Sequence, residues 1–152
     1  MLRQRPAGDK SWPIACSHTT LGVATEELDL SGAHLSYGDF EDATFKGTGV
    51  IRLDGAGLAH ADLSGSTVSA EGKPAQTIDF RGANLTNADL RGSRLTAESD
   101  SNSYAEDGGA TIDFTEANLA HADLSGSTLK AEARRGSAVI DFTKATLAHA
   151  DL

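Results

Sequence analysis

The chain has 152 residues, enough for one domain, with 39% hydrophobic and only 5% aromatic residues, 16 glycines and three prolines. So few aromatics argue against an ordinary globular core, and the glycine and proline content excludes collagen-like and disordered classes. The formal charge is -9; residues 1–25 hold Arg3, Arg5 and Lys10 against Asp9, which leaves 10 basic and 21 acidic residues, a net of -11, in the rest.

Such a surface repels nucleic acid and anionic membrane and favours a basic protein partner, while also serving solubility.

Residues 1–27 carry no repeat and are expected to be a separate N-terminal segment. Trp12, Pro13 and Ile14 are placed to cover the first turn of the repeat region, since an open coil end exposes apolar groups. The arginines lack the apolar run of a secretory signal, and no stretch approaches the ~20 apolar residues of a membrane span. Cys16 is the sole cysteine, so an intrachain disulfide and a cysteine-based metal site are both excluded. A cytoplasmic location is expected.

From residue 28 a period of five takes over. Residues 28–45 run Leu-Asp-Leu-Ser-Gly, Ala-His-Leu-Ser-Tyr, Gly-Asp-Phe-Glu-Asp, Ala-Thr-Phe, and the register returns at 51–68, 78–95, 112–129 and 140–152. Of the 19 quintet centres, 13 are Leu, five are Phe and one is Val. Neither a helix period of 3.6 nor a strand period of 2 fits. Short extended segments separated by turns do fit, each placing two side chains inside.

The second inward position, two residues before the centre, is mostly small, as in Ala56, Ala61, Ala83 and Ala88. Every fourth quintet instead opens with Leu or Ile. Four quintets therefore make one turn, and like residues stack on like. The expected core includes Ile78, Phe80, Leu85, Leu90 and Leu95 in one turn. Above them come Ile112, Phe114, Leu119, Leu124 and Leu129, then Ile140 and Phe142. About five turns at ~4.8 Å each give an all-β solenoid rod.

These quintets, Ala83-Asn84-Leu85-Thr86-Asn87 followed by Ala88-Asp89-Leu90 above all, resemble the pentapeptide-repeat family, whose motif reads A-(D/N)-L-X-X. The resemblance covers residues 28–152 and implies a right-handed quadrilateral β-helix. Because some members of that family protect DNA gyrase by imitating duplex DNA, it also implies a topoisomerase as a candidate partner.

Extra residues recur at one corner of the coil. There are three between the quintets of Phe45 and Ile51, seven before Ile78, 14 before Ile112 and eight before Ile140. Their flanks are alike, with Ala70-Glu71, Ala97-Glu98 and Ala131-Glu132 leaving the rod. Hairpins or loops stacked into a fin are expected, with Lys73, Arg134 and Arg135 as candidate contact residues. The sequence stops at Leu152 in mid-turn, which fits either an end-to-end homodimer through the C-terminal turn or a module of a larger protein.

Outward positions form columns. Asp39, Asp62, Asp89, Asp123 and Asp151 lie on one wall, and Asp29, Asp79, Asp113 and Asp141 on the opposite one, interrupted by Arg52. Carboxylates one strand apart repel, so a cation or a partner is expected to relieve them, unless the motif itself prefers Asp there. A further column holds Tyr37, His60, Asn87, His121 and His149. His121 and His149 are neighbours in it, though no third metal ligand is evident. No nucleophile elbow, phosphate loop, dinucleotide fingerprint or His-Glu-x-x-His segment occurs. No catalytic residue, cofactor or metal is expected; the reading is a binding scaffold, with a metal-binding surface on the His and Asp columns as the lesser alternative.

Overall fold

The computed structural model describes residues 15–21, 27–72, 75–100 and 109–152. Within them the chain forms ten strands and no helix: β1 (Thr20–Leu21), β2 (Leu28–Asp29), β3 (Thr44–Gly47), β4 (Val50–Arg52), β5 (Thr67–Gly72), β6 (Gln76–Asp79), β7 (Arg94–Ser99), β8 (Ala110–Asp113), β9 (Thr128–Ala133) and β10 (Ala138–Asp141). They build two five-stranded parallel sheets in the orders β1-β3-β5-β7-β9 and β10-β8-β6-β4-β2. Each strand pairs with its counterpart one turn away. The chain is a β-helix, as the period of five requires.

A turn has four faces. The two sheets make the fourth and first, and the other two are held by single bridging residues. His34, Gly57, Asn84, Asn118 and Thr146 bridge in series on the second face; Asp39, Asp62, Asp89, Asp123 and Asp151 do so on the third. Register between turns is strict, with Ile51 on Ile78, Ile78 on Ile112 and Ile112 on Ile140.

The quintet forces the corner. At the first and second corners, and at the third as far as Leu124, the carbonyl of the central residue accepts the N–H three positions on, as Leu58 does from Ala61 at 3.0 Å and Leu85 from Ala88 at 2.9 Å. The third residue of this turn has a positive φ, as in type II turns, which glycine adopts without steric cost. Gly55, Gly65, Gly82 and Gly92 sit there. So do all five members of the second-face corner column, Tyr37, His60, Asn87, His121 and His149, at φ between 55 and 59 degrees.

The inside is layered and mostly apolar. Ile78, Phe80, Leu85, Leu90, Leu95, Ile112, Phe114, Leu119 and Leu124 are all buried. Phe80, Phe114 and Phe142 stack with centroids 4.9 Å apart at both steps and nearly parallel rings. Burial of each such side chain contributes about 1.5–3 kcal/mol. In the last turn no described residue covers the ladders, so Leu129 and Phe142 are half-buried and Ile140, expected in the core, is 40% exposed.

Two findings depart from expectation. Residues 15–21 belong to the coil, since Ala15 bridges Asp39, and Thr20 and Leu21 pair with Thr44 and Phe45. Cys16 and Leu21 are therefore quintet centres before residue 28, while Trp12, Pro13 and Ile14 lie outside the described residues. The second departure concerns the insertions, whose flanks do not pair with each other as hairpins. They prolong both sheets past the corner: Ala70-Glu71-Gly72 pairs with Ala97-Glu98-Ser99, which pairs with Ala131-Glu132-Ala133. The fin is thus a two-sheet extension whose interior holds Ala70, Ala97, Ser99, Gln76 and Ala110, all buried.

Small interior positions include serine as well as alanine. Ser66 and Ser93 are 1% exposed, and among the described residues their hydroxyls have no hydrogen-bond partner. An unpaired buried hydroxyl costs about 1–3 kcal/mol. Ser93→Ala is accordingly expected to raise the urea midpoint, with a gain on the order of 1 kcal/mol; a loss of stability would mean that the hydroxyl has a partner, such as a buried water.

Candidate functional site

The acidic columns are built into the turns before they are offered to a partner. Each Asp or Asn preceding a quintet centre from Asp29 to Asp141 accepts the N–H two residues on. Ser64 donates to Asp62 at 3.0 Å, Thr86 to Asn84 at 3.2 Å, Thr115 to Asp113 at 2.8 Å and Thr143 to Asp141 at 2.7 Å. This is the local carboxylate-to-backbone bond by which Asp and Asn stabilise turns. It accounts for the column residue by residue without a ligand.

Arginines from the chain itself relieve the stacked charge. Arg81 Nε donates to Asp79 Oδ1 at 2.9 Å and lies 3.7 Å from the Asp113 carboxylate one turn above. On the opposite wall Arg91 repeats this with Asp89 at 2.9 Å and Asp123 at 3.7 Å. Below Arg81, Arg52 pairs with Glu27 at 2.7 Å. Asp79 departs from the expected outward column, because its side chain is only 3% exposed beneath Arg81. The relief expected from a cation or partner is, over these four aspartates, internal.

The carboxylates feel these donors. Hydrogen bonds from the Ser31 backbone, the Arg91 guanidinium, Ser125 and Thr143 hold Asp29, Asp89, Asp123 and Asp141 respectively below the ordinary aspartate value of 3.8. Burial pushes Asp79 upward, but its bonds to Arg81 outweigh that and the net shift is down. A depressed folded-state pKa contributes stability that is complete above the unfolded value and lost as pH falls through the folded one. Melting temperature is therefore expected to be flat near neutrality and to fall progressively once pH drops below 3.8. An undiminished melting temperature at pH 3 would contradict the turn-capping role.

The remaining sequence-predicted residues divide clearly. His121 and His149 are exposed and stacked, with centroids 4.9 Å apart and planes 12 degrees from parallel. His60 stacks instead on Tyr37 at 4.8 Å, and Asn87 separates the two pairs. Arg134 and Arg135 lie beyond the end of β9, where Arg134 Nε approaches Asp100 at 3.3 Å. Lys73 lies outside the described residues. On the fin, Glu71, Glu98 and Glu132 form an outward row in register, and Lys130 reaches Glu98 at 2.7 Å and Glu132 at 3.1 Å.

Concavity is slight. A hollow of about 540 Å³ at the fin is lined by Glu98, Asp100, Glu132 and Arg134 with small neighbours. Among the described residues no group of three or more His, Cys, Asp or Glu side chains is arranged to hold a metal ion.

Comparison with family models agrees with the repeat. The family model for pentapeptide repeats matches in eight copies, over residues 78–97 and 112–130. Residues 78–97 and 112–130 are pentapeptide repeats. Among solved structures it is similar to HetL, a pentapeptide repeat protein involved in heterocyst differentiation regulation from the cyanobacterium Nostoc sp. strain PCC 7120. That match has 16% identity over 92% of this chain and 87% of the other, with a TM-score of 0.20. No curated protein matches it. The matched repeats contain both internal arginine clamps, so the pentapeptide motif and the charge relief occupy the same turns.

Sequence reasoning missed the arginines. Arg81 and Arg91 each follow the quintet centre (Phe80 and Leu90) by one residue, the signal that could have placed them beside the Asp columns. It also missed the turn-capping bonds, for which the Asp/Asn alternation at one quintet position was the available sign.

Proposed function

We propose that this chain is a non-catalytic pentapeptide-repeat scaffold that binds a basic protein partner. The fin carries the reading: strands continue unbroken from the coil, so Glu71, Glu98 and Glu132 stand in a rigid row one strand apart. A rigid element that holds charged side chains away from the body suits recognition better than a flat wall does. The net charge of the chain favours encounter with a cationic surface.

A DNA gyrase or other topoisomerase partner, approached through mimicry of duplex DNA, is the narrower form of this proposal. Its support is the pair of Asp columns on opposite walls; the arginine clamps at Arg81 and Arg91 weaken the charge over two steps of those columns. The test places a photo-crosslinking residue at Glu132 on the fin, and at Thr86 on the uncharged second face, in cells that make the protein. Crosslinks concentrated at position 132 are expected. Equal yields at both positions would overturn the fin as the contact surface, and unchanged supercoiling by purified gyrase would remove that partner.

A further inference from the structure

At other corners with a positive φ, glycine is the common occupant, yet the corner after the second face carries a side chain in every turn, and three of the five are histidine. A ring in that backbone conformation has a steric cost that glycine avoids. Stacking offsets part of it, in the pairs Tyr37–His60 and His121–His149. Only the second pair consists of two metal-binding side chains.

We propose that His121 and His149 form a two-histidine site for a borderline divalent cation of the Zn²⁺ type, open at its other coordination positions. The backbone fixes the pair: His121 N–H donates to Ala148 O at 2.9 Å, so the two residues occupy the same corner of successive turns. Among the described residues no hydrogen bond or ion pair holds either ring, and both are exposed. Lys144, at the neighbouring corner of the last turn, is engaged with Glu116 at 2.9 Å.

Neutral imidazole is the preferred ligand for this class of ion. With Zn–N near 2.0–2.1 Å and tetrahedral geometry, the two nitrogens stand roughly 3.3 Å apart. The rings, now parallel at 4.9 Å, reach that spacing by tilting their outer edges together, which exposed side chains do without disturbing the core. Asn87, next below His121 in the column, offers only a carboxamide, so water or a partner's side chain completes the shell. His60 is two turns from His121 and faces Tyr37, which makes it the internal control.

The site is tested by calorimetric titration of ZnCl₂ into the tag-free full chain at neutral pH, with histidine ring signals followed by NMR. Asparagine is the chosen replacement because Asn87 already occupies this corner. One zinc ion per chain is expected, with ring shifts confined to His121 and His149. His121→Asn and His149→Asn should each weaken binding at least roughly tenfold, while His60→Asn leaves it unchanged. No zinc-dependent ring shift, or an equal loss in His60→Asn, would overturn the proposal and assign any zinc uptake to diffuse binding by the acidic surface.

Discussion

Phe114→Ala is expected to cost about 3–5 kcal/mol, the range for emptying a fully buried aromatic site. Phe114 is 0% exposed and lies between Phe80 and Phe142, at 4.9 Å from each. The ladder above and below it is pinned by backbone bonds, Phe80 N–H to Asp113 O and Phe114 N–H to Asp141 O, both 2.7 Å. Neighbouring rings therefore cannot move in to fill the space. The loss is comparable with the whole stability of many domains. Phe142→Ala, at a half-buried site with one stacked neighbour, should cost distinctly less. Urea unfolding of the two variants decides the matter; equal losses would mean that the stack is not what holds the middle turns.

The second large effect is at Gly38. In the equivalent inward position the later turns have Ala61, Ala88 and Ala122, each followed two residues on by leucine. Here the centre is Phe40, and a methyl group on Gly38 would lie 2.4 Å from Phe40 Cε2 and 2.9 Å from the Leu35 carbonyl oxygen. Phe40 is 1% exposed and has no free direction in which to retreat. Gly38→Ala is expected to destabilise by about 1–3 kcal/mol, the usual cost of overpacking. Adding Phe40→Leu recreates the alanine–leucine pair of the other turns, so the double variant should recover most of the loss. That coupling is the measurement, by a double-mutant cycle. Additive losses would show that the two side chains do not share one volume.

Much of the architecture was written in the period of five. The centres, the Ile and Phe ladders and the corner of the insertions follow from residue identity alone, because like side chains one turn apart must occupy one column. The start of the coil was less legible. Cys16 stands at a centre where leucine is usual, and only Leu21 repeats it within the described stretch, so two quintets looked like a cap. The fin was misread for a related reason. Two short extended arms around a glycine read as a hairpin, yet Ala97 and Glu98 find their partners 27 residues earlier and 34 later, at Ala70-Glu71 and Ala131-Glu132. Local pattern carries no information about such distant pairing.

The candidate surface was legible as positions but not as energetics. Sequence placed Asp62, Asp89 and Asp123 in one file and inferred repulsion between them. It did not show that each carboxylate is bonded to the N–H two residues ahead, nor that Arg91 spans two of them. Both facts depend on the turn conformation and on side-chain reach.

The pairing of Gly38 with Phe40 has one more consequence. Successive turns are nearly interchangeable inside, so a nascent strand docking on the wrong neighbour would lose little contact energy, and the coil could close one rung short. A phenyl group that fills the space over a glycine cannot trade positions with an alanine–leucine rung. Among the described rungs of the third face it is the one built from a glycine and a phenylalanine, and it marks one level of the stack as different from the others.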